Sequence, residues 1–175
     1  MSTPSAAPLG ISTPFEQLRY AREIVALEAE ALGQLASRLD TTFCDAAAYV
    51  RDCQGSVIVT GVGKAGLIGQ KIAATLASTG SRAHFLHAAE AVHGDLGRVD
   101  PADVVVVLSQ SGETAEIVQL LPSLAQLDVP ILAITSSATN TLGRAATVTM
   151  ELGRLPEACS MGMAPSTSTT AKPAL

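Results

Sequence analysis

Five short runs rich in valine, isoleucine and other apolar residues constrain the fold of this chain most strongly. Polar residues do not alternate with apolar ones inside these runs, as they would in a strand with one face in water. Strands of this kind are covered on both faces, which is typical of a parallel sheet with crossover helices. The predicted strands cover residues 56–60, 82–86, 103–109, 130–135 and 147–151.

Segments with helical periodicity separate these strands, at residues 65–79, 88–92, 114–127 and 139–146. Two more helices come first. One of about seven turns begins at Pro14, where Thr13 and Glu16 form a capping box. A shorter helix covers residues 45–51. The sequence therefore predicts an α/β fold, a flavodoxin- or Rossmann-like three-layer sandwich with a five-stranded parallel sheet and an N-terminal helical extension.

The domain organisation follows from the same pattern, because 175 residues suit one domain with a core. We expect residues 1–12 to be a disordered tail, residues 13–54 to be helices packed on the domain, residues 55–171 to be the α/β domain, and residues 172–175 to be a short tail.

Composition excludes several classes of function. The net charge of −5, the 3% of aromatic residues and the lack of a basic cluster argue against nucleic-acid binding. No apolar run approaches the roughly 20 residues of a membrane span, and no signal pattern opens the chain. Three widely spaced cysteines (Cys44, Cys53 and Cys159) suggest buried thiols in a reducing compartment. We therefore expect a cytoplasmic protein that contacts neither nucleic acid nor membrane.

The third strand ends in a stretch that resembles a phosphate site, because ligands bind beyond the carboxyl ends of parallel strands. Gly112 allows a close backbone turn, the amides of the next helix carry partial positive charge, and hydroxyls come from Ser109, Ser111 and Thr114. An ordinary helix cap is the alternative reading of this stretch. A second strand end rich in glycine favours ligand binding.

That second strand end reads Gly61-x-Gly63-x-x-Gly66 and formally matches the dinucleotide fingerprint. No acidic residue follows the second strand to bind a ribose, and the glycine spacing is wrong for a Walker loop. The remaining reading is a glycine turn that presents Lys64 to the same edge of the sheet.

Two of the three histidines, His87 and His93, lie in the segment HAAEAVHGDLG. Their spacing matches no closed zinc site, so proton transfer or hydrogen bonds to sugar hydroxyls suit them better. Glu116 lies just after the predicted phosphate loop, and Glu157 follows the fifth strand.

Four segments together resemble the sugar isomerase (SIS) domain, and more narrowly the D-arabinose-5-phosphate isomerase family, which supplies the precursor of the Kdo sugar of lipopolysaccharide. They are GVGKAGLIGQKIAATLASTG, HAAEAVHGDLG, LSQSGETAEI and EACSMGMAPSTSTTA. The resemblance implies interconversion of D-arabinose 5-phosphate and D-ribulose 5-phosphate through an enediol, in a homodimer or homotetramer. It also implies that His87 can bind a zinc ion that the reaction does not require, with no other cofactor.

The resemblance assigns roles residue by residue. The catalytic residues that it implies are Lys64, Glu116, Glu157 and His93. The substrate- and phosphate-binding residues that it implies are Gly61, Gly63, Gly80, Ser81, His87, His93, Ser109, Ser111, Gly112 and Thr114. Isomerisation needs a base that moves a proton between C1 and C2 and a group that stabilises the enediolate oxygen. Either glutamate suits the first task, and Lys64 or His93 suits the second.

The pattern departs from the family after Ala171, where family members continue into a further helix with a histidine and often into two CBS modules. Here Lys172-Pro173-Ala174-Leu175 follows, so we expect the last SIS helix and the CBS modules to be lacking. Two alternatives therefore stay open: a truncated or inactive SIS module that only binds a sugar phosphate, and another isomerase such as 3-hexulose-6-phosphate isomerase.

Overall fold

The computed structural model of the chain describes residues 13–153, 155, 157–158 and 166–175. The tail predicted at residues 1–12 and the buried thiol predicted at Cys159 lie outside the described residues. The prediction of buried thiols is wrong for Cys44, which is exposed, and Cys53 is half-buried. The five strands are β1 (Val57–Gly61), β2 (Ala83–Phe85), β3 (Val104–Leu108), β4 (Ile131–Thr135) and β5 (Val148–Glu151). The seven α-helices of the described part are α1 (Pro14–Arg38), α2 (Thr41–Asp52), α3 (Lys64–Ser78), α4 (Ala88–Val92), α5 (Ala115–Gln126), α6 (Thr141–Ala145) and α7 (Thr167–Ala171).

The strands form one all-parallel sheet in the order β2-β1-β3-β4-β5, which confirms the predicted fold class. Every residue of β1, β3 and β4 is buried, as expected of strands covered on both faces. Val105 and Val107 pack into a core with α4, α5 and α6, whereas Val104 and Val106 pack into a second core with α1, α2 and α3. The sheet is therefore the middle of three layers.

The N-terminal helices differ in how well the sequence predicts them. The capping box of α1 is confirmed, because Thr13 Oγ1 accepts from the Glu16 amide at 3.2 Å and the Glu16 carboxylate accepts from the Thr13 amide at 2.9 Å. The predicted start of α2 at residue 45 is wrong by four residues. The helix begins at Thr41, because Asp40 accepts hydrogen bonds from the amide and the hydroxyl of Thr42 at 2.8 and 2.6 Å.

The strand order reverses between β1 and β3, and this reversal creates a crevice at their carboxyl ends. Gly61 pairs with Leu108 in the parallel register, so the two strands end side by side. The loops after them are the glycine loop and the hydroxyl-rich loop that the sequence predicts as a ligand site. The topology brings these two loops together.

The C-terminal segment differs from the short tail predicted at residues 172–175. Lys172–Ala174 form a 3-10 turn directly after α7, and Leu175 packs against the core on the α1–α3 side. Proline is compatible with the first turn of a helix, so Pro173 does not prevent this arrangement. Lys172 is only 3% exposed.

Candidate functional site

A cavity of about 590 Å³ lies at the carboxyl ends of β1, β3 and β4. Its walls are Val62, Lys64, Ala65, Leu108, Ser109, Gln110, Ser111, Thr114, Ser136, Glu157, Ser168, Thr169 and Lys172. A larger cavity of about 700 Å³ is lined by Asp103, Pro130 and Thr147, next to the first residues of three strands. Ligands of open parallel sheets bind at the carboxyl ends, so the first cavity is the candidate site.

The loop of residues 109–114 shapes one wall of this cavity through hydrogen bonds within itself. Ser109 Oγ accepts from the Gly112 amide at 3.1 Å and lies 2.9 Å from Thr114 Oγ1. Ser111 Oγ accepts from the Glu113 amide at 3.2 Å. Ser109 is buried and Ser111 is exposed. Ser109 therefore holds the turn, while Ser111 and Thr114 lie where a ligand can meet them and where the amides of α5 begin.

The same loop is anchored from behind by the start of α6. Gly112 has a φ of +68°, and a Cβ atom there would overlap the Asn140 side chain. The Gly112 carbonyl accepts from the Leu142 amide at 3.1 Å. The Glu113 carboxylate accepts from the amide and the hydroxyl of Thr141, both at 2.7 Å. These bonds from Thr141, the backbone bond first, hold the pKa of Glu113 below its usual value.

The glycine loop after β1 brings α3 close to the sheet. A Cβ at Gly66 would lie 2.9 Å from the Gly61 carbonyl oxygen, so only glycine allows this approach. Gly63, with a φ of +59°, precedes the first residue of α3, Lys64. Lys64 is exposed and forms no hydrogen bond or ion pair with any residue that the structure describes. Its ammonium group is therefore available to an anionic ligand.

Glu157 adds a carboxylate to the lining of the cavity. Its Oε2 accepts from the Ser166 amide at 2.7 Å, from the Ser166 hydroxyl at 3.3 Å and from the Ser168 amide at 3.3 Å. Burial alone would raise the pKa of Glu157, but hydrogen bonds from Ser168 and Ser166 outweigh it and hold the pKa below its usual value. The group is a fixed, ionised carboxylate at neutral pH.

Lys172 completes the charged lining next to Glu157. Burial lowers the pKa of Lys172, and the negative charge of Glu157 offsets part of this effect. The Lys172 side chain is the one cation of the described lining that is removed from water, since Lys64 is exposed.

The remaining predicted site residues do not line this cavity. Glu116, in the first turn of α5, is half-buried, and His93, at the end of α4, is exposed. His87 caps α4, where its Nδ1 accepts from the Ala89 amide at 3.2 Å. Gly80 and Ser81 follow α3 in the turn that leads to β2. Their assigned roles stay predictions.

A zinc ion at His87 finds no support in the structure. In the described part of the chain, no three His, Cys, Asp or Glu side chains come together as they would around a metal ion. The Nδ1 atom of His87 is already used to cap α4. Within residues 13–153, 155, 157–158 and 166–175, no helix is long and apolar enough to cross a membrane.

Of the thirteen described residues that line the cavity, eight were not predicted as site residues, among them Ser136, Gln110 and Lys172. Ser136 follows β4, and the strand-end rule already marks the polar end Thr135-Ser136-Ser137 of that strand, although Ser136 was not included among the predicted site residues. Gln110 follows Ser109, and its Oε1 atom is buried without a hydrogen-bond partner among the described residues. Lys172 carries no motif at all, and only the fold reveals its burial.

Comparison with known proteins gives a consistent result. The sequence model of the SIS domain matches residues 51–174. The chain is 44% identical to arabinose 5-phosphate isomerase KdsD of Shigella flexneri and to the KdsD of Escherichia coli K12, over 157 residues in each case. These matches cover 90% of this chain but 48% of each relative, so the chain spans about half the length of these curated relatives.

Solved structures agree with the sequence matches. The structure of Escherichia coli CFT073 c3406 in complex with arabinose 5-phosphate has a TM-score of 0.89 and 36% identity, and the match covers 93% of this chain and 87% of that one. Protein MJ1247 of Methanococcus jannaschii, interpreted as a 3-hexulose-6-phosphate isomerase, has a TM-score of 0.65 at 18% identity, with 89% of this chain and 82% of that chain covered. At that identity the second likeness concerns the fold alone.

Proposed function

The chain belongs to the SIS domain family, and from this premise we propose that it interconverts D-arabinose 5-phosphate and D-ribulose 5-phosphate through an enediol. The 44% identity to KdsD arabinose 5-phosphate isomerases supports this activity. So does the complex with arabinose 5-phosphate of a relative that this chain matches over 87% of its length. Supply of the Kdo precursor of lipopolysaccharide, in the cytoplasm, is part of the same proposal.

The observation that carries the proposal is the composition of the β1/β3 cavity. It combines hydroxyls, helix amides, two ammonium groups and one carboxylate within about 590 Å³. The amides and hydroxyls of residues 109–114 suit a phosphate group, because they donate hydrogen bonds without a large fixed charge. The glycine loop adds Lys64, the first residue of α3, to the lining of the same cavity.

The acid–base chemistry falls to Glu157 and Lys64. Glu157 is the base that carries the proton between C1 and C2, because its carboxylate lines the cavity and is ionised at neutral pH. Lys64 stabilises the negative oxygen of the enediolate as it forms. Glu116 and His93 are the alternatives for these two tasks, but neither lines the cavity in this chain. No electrons are gained or lost in the isomerisation, so no redox cofactor is required, and the proposal includes no metal.

A homodimer or homotetramer is the proposed assembly, with sites at the subunit boundaries. Three large apolar side chains of α1 support this: Phe15, Leu18 and Val25 are 75%, 51% and 68% exposed. Exposed large apolar side chains on one helix suit a subunit interface, because burial of apolar surface drives association. Size-exclusion chromatography with light scattering measures the assembly directly, and a monomeric mass would contradict it.

A second candidate is a SIS module that binds a sugar phosphate without converting it. The observation in its favour is that two of the four predicted catalytic residues, His93 and Glu116, lie off the cavity. The two functions differ in one measurable property, which is turnover.

The test is incubation of the purified protein with D-ribulose 5-phosphate, followed by chromatographic separation of the pentose phosphates. We expect arabinose 5-phosphate to appear, with Glu157→Gln and Lys64→Met each slowing the reaction by about 10²–10⁴-fold. Lys71→Met, an exposed lysine later in α3, is the matched control and should leave the rate unchanged. Addition of EDTA should also leave it unchanged. Binding of the sugar phosphate without conversion would favour the second candidate.

Glu116→Gln separates the two possible bases. If Glu157 is the base, Glu116→Gln retains most of the turnover while Glu157→Gln loses it. The opposite result would move the base to α5 and contradict the role that we give to Glu157.

A further inference from the structure

Lys172 lies in an unusual environment for a lysine. Lysine is almost never fully buried unless it is paired, yet Lys172 is only 3% exposed. It follows α7 in the 3-10 turn of the C-terminal segment and lines the same cavity as Ser111 and Lys64. A buried ammonium is costly unless its charge is compensated.

The described residues do not supply that compensation by direct contact. No hydrogen bond joins the Lys172 ammonium to any of them, and no carboxylate of theirs lies within 4.0 Å of it. Glu157 acts on Lys172 electrostatically from beyond that distance. The Oε2 atom of Glu157 accepts hydrogen bonds from Ser166 and Ser168 and not from Lys172. An anion bound in the cavity that Lys172 lines would supply the missing partner.

The charge of the cavity wall indicates which ligand group fits. The described lining has two cations, Lys64 and Lys172, and one anion, Glu157, which leaves one positive charge in excess. A phosphate monoester carries about −1.5 to −2 charges at neutral pH. The phosphate charge is present for as long as the ligand is bound, whereas the charge of an enediolate exists only during the reaction. The phosphate group therefore compensates the buried ammonium of Lys172 better than the enediolate does.

We propose that Lys172 is a substrate-binding residue whose ammonium group binds the phosphate of the sugar phosphate, opposite the amides and hydroxyls of residues 109–114. Lys172 thus supplies the full positive charge that this loop lacks, since residues 109–114 contain no lysine or arginine. The loop sets the position of the phosphate and Lys172 supplies its counter-charge. The identity of the ligand rests on the proposed function, whereas binding of phosphate as such does not.

The test compares the affinity of three variants for inorganic phosphate by titration calorimetry at constant ionic strength. Lys172→Met keeps the unbranched apolar stem and removes the charge, and we expect it to raise the Kd for phosphate by about tenfold or more, the effect of one charge-assisted hydrogen bond. Lys172→Arg keeps the charge and should lose less affinity than Lys172→Met. Lys71→Met, which removes an exposed lysine of α3, should bind phosphate like the wild type.

A purely structural role for Lys172 predicts different results. It would lower the Tm of Lys172→Met while leaving the Kd for phosphate of the folded protein unchanged, and that outcome would overturn the proposal. We expect instead that the Tm of the ligand-free variant equals or exceeds that of the wild type, because a buried charge is removed. The stabilisation that phosphate adds should then be smaller in the variant than in the wild type.

A measurement on the unsubstituted protein covers the case in which Lys172→Met does not fold. The chain contains only three lysines, Lys64, Lys71 and Lys172, so their ammonium signals in ¹⁵N-lysine NMR spectra can be assigned with Lys64→Met and Lys71→Met. We expect phosphate to shift the Lys172 signal and leave the Lys71 signal in place. A Lys172 signal that does not respond to saturating phosphate would overturn the proposal.

These results remain separate from those of the proposed function. If phosphate binding depends on Lys172 but ribulose 5-phosphate is not converted, the proposed reaction fails and the binding role of Lys172 stands. If conversion proceeds and Lys172→Met leaves the Kd for phosphate and the KM unchanged, the role of Lys172 fails alone.

Discussion

Gly112→Ala tests how rigidly the loop of residues 109–114 is built. Gly112 has a φ of +68°, where a Cβ atom is strained, and that Cβ would overlap the Asn140 side chain. Asn140 cannot easily move aside. Its Oδ1 accepts from the Gly143 amide at 2.8 Å and its Nδ2 donates to Thr135 Oγ1 at 2.7 Å. Gly112→Ala therefore disturbs both the loop of residues 109–114 and the start of α6.

The expected cost has two parts. The left-handed backbone conformation costs roughly 1–2 kcal/mol for a residue with a Cβ. Displacement of Asn140 removes the cap of α6, which costs about 1 kcal/mol, and leaves a buried hydroxyl without its donor, which costs about 1 kcal/mol more. The free energy of unfolding should therefore fall by about 3–4 kcal/mol.

Urea denaturation of Gly112→Ala and Gly80→Ala separates these parts. Gly80 has a φ of +98°, but a Cβ atom at this position would have no atom within 4 Å. Its substitution therefore measures the backbone strain without an overlap with a neighbouring side chain. Any gain from a less flexible unfolded chain is common to both variants. We expect Gly112→Ala to be less stable than Gly80→Ala by about 1–2 kcal/mol. Equal losses would refute the claim that Asn140 is fixed behind the loop.

Three further predictions concern other elements. Thr13→Ala removes the cap of α1 and should lower the free energy of unfolding by about 1 kcal/mol, measured by urea denaturation. Thr79→Ala, a threonine substitution at the exposed C-terminal end of α3, is the comparison. Gly33→Ala, inside α1 with nothing within 4 Å of its Cβ, should raise the free energy of unfolding by up to about 1 kcal/mol, and a loss would mean that α1 packs there. Because the pKa of Glu157 lies below 4.5, its contribution to stability is present above that pH and is lost as the pH falls through the lowered pKa. Glu157→Gln should therefore flatten the acid side of the stability profile, and an unchanged profile would contradict the hydrogen bonds from Ser166 and Ser168.

The sequence predicts the sheet well because burial on both faces leaves a clear pattern. The runs at residues 103–109 and 130–135 differ from β3 and β4 by one residue at most at each end. The start of α2 was missed because its first residues, Thr41 and Thr42, have weak helix propensity, while the cap is a single aspartate, Asp40. Helix α7 was missed because Ser and Thr have weak helix propensity and the turn is held by tertiary contacts, such as Thr170 Oγ1 to Glu28 at 3.2 Å.

The sequence also predicts one part of the candidate site and misses another. The loops after β1 and β3 could be predicted, because glycines and hydroxyls at strand ends have a local chemical meaning. The burial of Lys172 could not, since it depends on how the C-terminal segment packs across the cavity. That His93 and Glu116 do not line the cavity was equally unpredictable, because a motif gives residue types but not the direction in which a helix points them.

The central claim is that a phosphorylated sugar binds where β1 and β3 end. The most direct measurement is a crystal structure of this protein soaked with D-arabinose 5-phosphate. The account predicts that the phosphorus atom lies within hydrogen-bonding reach of Ser111, Thr114 and the first amides of α5, with the sugar carbons between Lys64 and Glu157. Density for the sugar phosphate at another surface, with this cavity empty at saturating ligand, would contradict it.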